Sequence, residues 1–588
     1  MNRILLSAMT LALASAAASA ADIYVSESAL KSGDGTILNP LKSLCAAIEL
    51  AQNGDVIHLT SGKYLPDLLD NPRKSTFKIT EKELTIIGGY NNDYTAISGK
   101  SMLSADINGD DVYDESTGIL LSNFEDNCTR VMTVTSNANV TLRNLILQGG
   151  YADMTDSKLD TGGGMYIGAT VIMENCDITG NYCKNSAGGV GLCVKGNLTL
   201  DKCRLYGNHG SGDGGAMFIK GDINVKVTNC QFDTNKSTSG SAVFFNNAIS
   251  CFFASNTFEN NSSETYGTFT IYNKSYANSP LTLVNNTFAN NTVSGNTTGK
   301  TLIGGAAVYV YTGTKSGANL INNTIIGNST EGTQASGDPS LQMGGAVFVR
   351  QGNLLIANNV IAGNYSLGGY GDLYKTDNGV ITSKEYNFFT SYDNMSVTPE
   401  RNDIVAGIDK TSGLEKLPDV FACTSSNGKV IAGTADNGGH TRTVAAHGEN
   451  VDFDGLTIKS VPSQNLSEQN LGVDIDNNGD MNGILAYDQR GASRNQSGNA
   501  FIGAYENDGK TTAVTENFAK TDTIFVRNNS IVFPAGKTCT YSIYDFAGRR
   551  IMTGTTDGEH VALDNLYNGC YIINVTSAEF KQNLKVVL

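Results

Sequence analysis

Between residues 140 and 392 the chain repeats a short alternation of apolar and polar positions, broken by glycine and asparagine. The copies read NCDITGN, KCRLYGN, NCQFDTN, SNTFENN, NNTFANN, NNTIIGN and NNVIAGN, centred on Ile178, Leu205, Phe232, Phe258, Phe288, Ile325 and Ile361. Weaker copies centre on Ile146 and Phe389. Three positions after each of the seven centres stands an asparagine: Asn181, Asn208, Asn235, Asn261, Asn291, Asn328 and Asn364. Ahead of the copies come glycine-led apolar runs at Gly162, Gly188, Gly214, Gly240, Gly304 and Gly344, and Cys176, Cys203 and Cys230 repeat in the same frame. Alternating runs such as Ala346–Val349, bounded by Gly and Asn, predict short strands.

A period of about 27 residues is the mark of a solenoid. Stacked in parallel, like residues align: an internal Ile/Leu/Phe stack, a cysteine line, and an asparagine ladder. Asparagine suits a corner because it tolerates the left-handed backbone and its amide bonds to its neighbour's. Gly pairs suit another corner, where a Cβ would clash. The fold class expected is all-β, a right-handed parallel β-helix solenoid. Longer spacings late in the series place extra residues on one side, near 263–280, 293–303 and 329–343. At the other end, Asn39 and Pro40, then Leu41, Leu44, Cys45, Ile48 and Ala51, then Gly54, predict an amphipathic capping helix with an Asn N-cap and Pro at its first position. It would cover the open end of the core.

The first twenty residues carry Arg3, an apolar run from Ile4 to Ala14, and Ala18-Ser19-Ala20, the pattern of a signal peptide cleaved after Ala20. No later apolar run has the length of a transmembrane helix. A net charge of −16 argues against nucleic acid or an anionic membrane as main partner. Eleven cysteines without C-x2-C spacing predict neither a disulfide scaffold nor a zinc site. After the β-helix region (21–510), residues 511–588 alternate between Gly-containing turns at Ala547-Gly548, Asp557-Gly558 and Asn568-Gly569, which predicts a small C-terminal β-sandwich.

The segment PLKSLCAAIELAQNGDVIHLTSGKYLP resembles the opening of pectin-lyase-like β-helix proteins. LTIIGGYNNDY…LSADINGDD is similar to exported β-helix proteins of Bacteroidetes, and DNGGHTRTVA (436–445) and DQRGASRNQSGNAFIGAYE (488–506) resemble their closing region, here about 400–508. The central repeats are similar to those of polymorphic outer membrane proteins, although the sandwich reading departs from the membrane β-barrel that ends that family. The pattern YDFAGR…GCYIINV…KVVL resembles the type IX secretion C-terminal sorting domain, with Tyr544, Asp545, Gly548, Arg549, Gly569 and Tyr571 as its motif. That resemblance implies the type IX machinery as a partner, and a product either released or held at the outer membrane surface.

Parallel β-helices hold adhesins as well as polysaccharide-degrading enzymes, so the chemistry must be read from the residues. A hydrolase needs facing carboxylates, and a lyase needs acids around Ca²⁺ with a basic residue. On a solenoid these would recur in register, and no such register is found. Asp213 has Ala187, Ser239, Ile303 and Met343 at its place in other coils, and the pair His209–Asp213 reads as a solvated corner. Lys220 and Arg350 end comparable strands without an acidic cluster. Asp474, Asp476, Asn478 and Asp480 space oxygen ligands as a calcium loop does, with Leu485 where the closing Glu should be; an Asx-rich turn is the alternative. Asp106, Asn108 and Asp110 make a shorter version. Structural calcium is the only cofactor these residues suggest. The function expected is a non-enzymatic secreted or surface-attached adhesin binding glycan, matrix or host surface. The alternatives are a lyase or hydrolase on the same scaffold, with acids in the inserted loops, and a structural envelope protein.

Overall fold

The computed structural model describes residues 20–31, 33–153, 161–184, 186–273, 281–295, 302–313, 317–331, 342–475, 484–495, 498–507, 525–527, 530–532, 538–545, 549–556, 561–563, 570–577 and 581–587. Of the expected signal peptide only Ala20 lies among them. Two compact units divide the chain, residues 1–510 and 511–588.

The first unit is a right-handed parallel β-helix, and one coil shows how sequence makes it. Strand Met217–Thr228 turns midway at Gly221, so its two halves line two adjoining sides. Asn229, in the left-handed region at φ 55°, turns the chain into Gln231–Asp233. Thr234 (φ 53°) and Gly240 (φ 64°) make the next corners around Lys236–Ser239. Stacked coils form an 18-stranded bent sheet, a 12-stranded sheet and a 10-stranded sheet among the described residues. Every strand pair between coils is parallel, as right-handed crossover requires.

The interior series is in register from Ile178 through Leu205, Phe232, Phe258, Phe288, Ile325 and Ile361 to Phe389. At the early end Leu147, not Ile146, occupies the row. Phe232, Phe258 and Phe288 stack with centroids 4.7 and 4.5 Å apart and are fully buried. Each such ring contributes on the order of 2–3 kcal/mol by burial.

All seven predicted asparagines form one buried ladder. The Nδ2 of each donates to the Oδ1 of the next, from Asn181→Asn208 at 3.0 Å to Asn328→Asn364 at 3.0 Å. The left-handed residue, however, is the one before: Gly180, Gly207, Thr234, Asn260, Asn290, Gly327 and Gly363. That residue bends the chain, which aims the ladder asparagine inward. The cysteine line proves to be the start of a second ladder. Cys230 N–H donates to Asn256 Oδ1 at 2.8 Å, and the row continues through Asn286, Asn323, Asn359 and Asn387. Both ladders end on a carboxylate, Asp372 and Asp403, which accepts the last amide at 3.0 and 3.1 Å and needs no further acceptor.

The capping helix α1 spans Leu44–Leu50, four residues later than the Asn-Pro signal. Leu41 is drawn into the first coil instead, bridging to Val25, and Ser43 becomes the N-cap, its Oγ accepting from Ala46 N–H. Lys82 Nζ donates to the carbonyls of Ile48, Glu49 and Ala51 at the helix's C-terminus.

Strand Ile404–Gly407 ends the 12-stranded sheet, and after it the chain packs against the outside of that sheet, where outward positions become apolar: Ala289, Ile326, Val360, Ala362 and Phe388 meet Leu417, Val430, Phe453 and Phe501 in a second core. The resembled closing motifs pin this covering down. Gln489 Nε2 donates to Thr257 Oγ1 and Thr441 Oγ1, both at 2.9 Å, and its Oε1 accepts from Thr287 at 2.6 Å. Arg494, fully buried, donates to the carbonyls of Phe501, Gly503 and Tyr487 and to Asn285 Oδ1, and pairs with Glu506 at 3.5 Å.

Among its described residues the second unit is an antiparallel sandwich of a three-stranded and a four-stranded sheet around Ile531, Cys539, Ile543, Ile573 and Val575.

Candidate functional site

Alternation along the first half of the bent sheet sends Val308 and Val310 into the core and turns Tyr309 and Tyr311 outward. In the coils beside it, Phe269 and Ile271 point in with Tyr272 out, and Val347 and Val349 point in with Phe348 and Arg350 out. Following the register, one outward row reads Tyr166, Gly191, Phe218, Phe244, Thr270, Tyr309, Phe348, Tyr374. Six of those eight residues are aromatic; Tyr309 and Phe348 are fully buried, Phe218 and Phe244 nearly so, and Tyr166 and Tyr374 half-buried.

The rings contact one another along the face. Tyr266 stacks on Tyr309 at 4.2 Å, Tyr309 meets Phe348 edge-on at 5.3 Å, and Tyr272 meets Tyr311 edge-on at 5.2 Å. Tyr370 stacks on Tyr374 at 5.5 Å. Into this cluster reaches Arg350, whose Nη1 donates to the hydroxyls of Tyr266 (3.2 Å) and Tyr309 (3.4 Å) and whose guanidinium lies 5.2 Å over the Tyr311 ring. The Tyr309 hydrogen bond holds the guanidinium still more firmly charged. Burial pushes the Tyr309 hydroxyl well above its ordinary range, so it is a neutral donor and acceptor. Among the described residues no carboxylate pairs with Arg350. Tyr309 and Phe348 are buried beneath this cluster, and its partly exposed members Tyr272, Tyr311, Tyr370 and Tyr374 can meet a flat apolar surface with the Arg350 N–H donors beside it.

His209 and Asp213 lie on one short strand, both half-buried and not at a solvated corner. Burial, with Lys236 adding repulsion, pushes His209 down to about 4, and burial pushes Asp213 up to about 6, partly offset by a Ser239 hydrogen bond. No hydrogen bond joins the two among the described residues. The neighbours of Asp213 in successive coils are Ser239, Tyr266, Gly304 and Met343. The coil at Tyr266-Gly267 was absent from the glycine series because it lacks a Gly pair, and Gly304, not Ile303, is the register partner. Lys220 is exposed on the outward face.

Asp106 closes a turn by accepting from Gly109 N–H at 2.7 Å and pairs with Lys63 at 2.8 Å, so its carboxylate serves the loop. Of the other calcium candidates, Asp474 is described, whereas Asp476, Asn478 and Asp480 lie outside the described residues. Among the described residues no group of three or more His, Cys, Asp or Glu is placed to hold a metal. In the sandwich, Asp545 lies opposite Tyr571, and Tyr544 opposite Ile572, on adjacent strands. Arg549 precedes strand Arg550–Thr556, while Gly548 and Gly569 fall outside the described residues.

A family model described as a right-handed β-helix region matches residues 183–348. Fold and match together define a right-handed parallel β-helix protein. No curated protein matches the chain. A solved structure titled "The complex structure of XylC with xylose" is similar over 82% of this chain and 98% of that chain, at 11% identity and a TM-score of 0.30, too distant to bear on function.

Proposed function

We propose that this is an exported β-helix protein that binds glycans on the aromatic face around Arg350 without transforming them. The partly exposed rings Tyr272, Tyr311, Tyr370 and Tyr374, in a cluster with Arg350, which has no carboxylate partner among the described residues, carry the reading. Sugar rings present C–H faces that pack on aromatic rings, and their hydroxyls accept from a guanidinium. Export rests on the first twenty residues, and type IX sorting to the outer membrane surface or beyond rests on the resemblance of the C-terminal motif.

The test incubates the chain lacking its first twenty residues with neutral and uronate-containing polysaccharides, with and without calcium, and follows polymer length and co-elution by size exclusion. One polymer should co-elute at unchanged length, and Tyr311→Ala or Arg350→Ala should weaken that binding about ten-fold or more with circular dichroism unchanged. Shortened polymer at catalytic protein concentrations would replace this reading with a lyase or hydrolase. Absence of co-elution with every polymer would leave the structural envelope role.

A further inference from the structure

A second site lies on another part of the surface, where the hairpin formed by strands Cys423–Ser426 and Lys429–Ala432 leans over a corner of the solenoid. Asn290 fastens the hairpin, its Nδ2 donating to Ala432 O at 3.0 Å and its Oδ1 accepting from Ala432 N–H at 2.9 Å. Gly327 lets it approach: a Cβ there would lie 2.7 Å from Asn290 Oδ1 and 3.1 Å from Val430 O. Beside the hairpin a groove of about 720 Å³ remains, lined by Ser329, Glu331, Tyr365, Ser426, Asn427 and Lys429 among others.

The chemistry of this groove is specific. Lys429 Nζ donates to Glu331 Oε2 at 2.7 Å and sits 5.0 Å over the Tyr365 ring. Burial alone would raise the Glu331 carboxyl, but hydrogen bonds from Lys429 and Ser329 hold it below its ordinary value, so the pair is ionised. An ammonium and a carboxylate in contact present donor and acceptor side by side. That spacing matches two adjacent hydroxyls, one donating to the carboxylate while the other accepts from the ammonium. Within the pair each charge is compensated, so an anion would meet Glu331 and a cation would meet Lys429; a second cation, Lys410, lies 4.8 Å over the Tyr365 ring. The Tyr365 ring, with both ammonium groups over it, borders the pair, and the exposed Ser426 and Asn427 supply further hydroxyl and amide groups.

We infer that this groove binds a neutral saccharide through a vicinal diol held by the Lys429–Glu331 pair. The inference does not use the outward row, which lies on the 18-stranded sheet, whereas Ser329 and Tyr365 lie on the 10-stranded sheet.

The full chain is titrated with cellotetraose, xylotetraose, mannotetraose and maltotetraose, and with a galacturonate tetramer for comparison. Saturation-transfer NMR and calorimetry read the binding. At least one neutral tetraose should bind more tightly than the galacturonate. Glu331→Gln and Lys429→Met should each weaken that tetraose about ten-fold or more, while Asn197→Ala, exposed and in neither proposed site, leaves it unchanged. Both substituted side chains are partly exposed, and retained circular dichroism and thermal midpoint confirm folding. The inference is overturned if no neutral tetraose binds, if neither groove variant weakens it, if Asn197→Ala abolishes it, or if the galacturonate is preferred.

Discussion

Replacing Asn291 by Ala tests whether the ladder holds the solenoid together. Asn291 is fully buried, and its Nδ2 donates to Phe258 O and Asn328 Oδ1, each at 2.9 Å. Its Oδ1 accepts from the backbone N–H of Asn261 at 3.0 Å and from Asn261 Nδ2 at 2.9 Å. Alanine removes all four bonds. It leaves the Asn261 N–H buried without that acceptor, a cost of about 1–3 kcal/mol, while the lost bonds add about 1 kcal/mol each where no replacement forms. The expected destabilisation is therefore about 2–5 kcal/mol. Asn197→Ala is the control: Asn224 Nδ2 donates to Asn197 Oδ1 at 3.2 Å in an equivalent but exposed row, where water substitutes, and the loss should stay within about 0.5 kcal/mol. Because coils interact chiefly with their neighbours, the readout combines urea unfolding with hydrogen exchange at the Asn261 amide. Should Asn291→Ala cost under about 1 kcal/mol with that amide still protected, the ladder would be a consequence of coil stacking, not a cause of it.

Asp372, fully buried at the end of the first ladder, is pushed up to about 6 by burial, against donors from Thr390, Asn364 and Asn394. A folded value above the unfolded 3.8 favours the protonated form, so this contribution to stability is present below about pH 4 and lost as pH rises through 6, at about 1.4 kcal/mol per unit. Urea midpoints from pH 4 to 7 should show that slope flattened in Asp372→Asn, and parallel profiles for the two proteins would refute it. Arg494→Met should cost about 3–5 kcal/mol by stranding Glu506 and opening the closing region to limited proteolysis; unchanged cleavage would show that Gln489 suffices. Gly327→Ala should cost about 2–3 kcal/mol, combining a left-handed φ of 71° with the clash against the hairpin, whereas Gly428→Ala, at φ 73° with open space around it, should cost only about 1 kcal/mol by thermal unfolding.

The solenoid was legible because its period repeats one physical requirement: each coil must set an apolar side chain above the last, so Ile178 through Ile361 announce the stack without any knowledge of partners. Asparagine at a fixed offset announced the ladder in the same way. Adjacent roles were harder to separate. In Asn290-Asn291 one residue turns the chain and the next bonds across coils, and only backbone angles distinguish them. The cysteine line hid a second asparagine ladder because the residue type changes at Asn256 while the geometry does not. The aromatic row was invisible because Val308 to Tyr311 reads as one apolar run, and which residues turn away from the core depends on the coil around it. Gln489 and Arg494 stood out as motif letters, yet their partners Thr287 and Asn285 lie about two hundred positions away. Periodicity along a chain determines what recurs between neighbouring coils; contacts between distant segments, and the grooves they leave, exist only once the chain has folded back on itself.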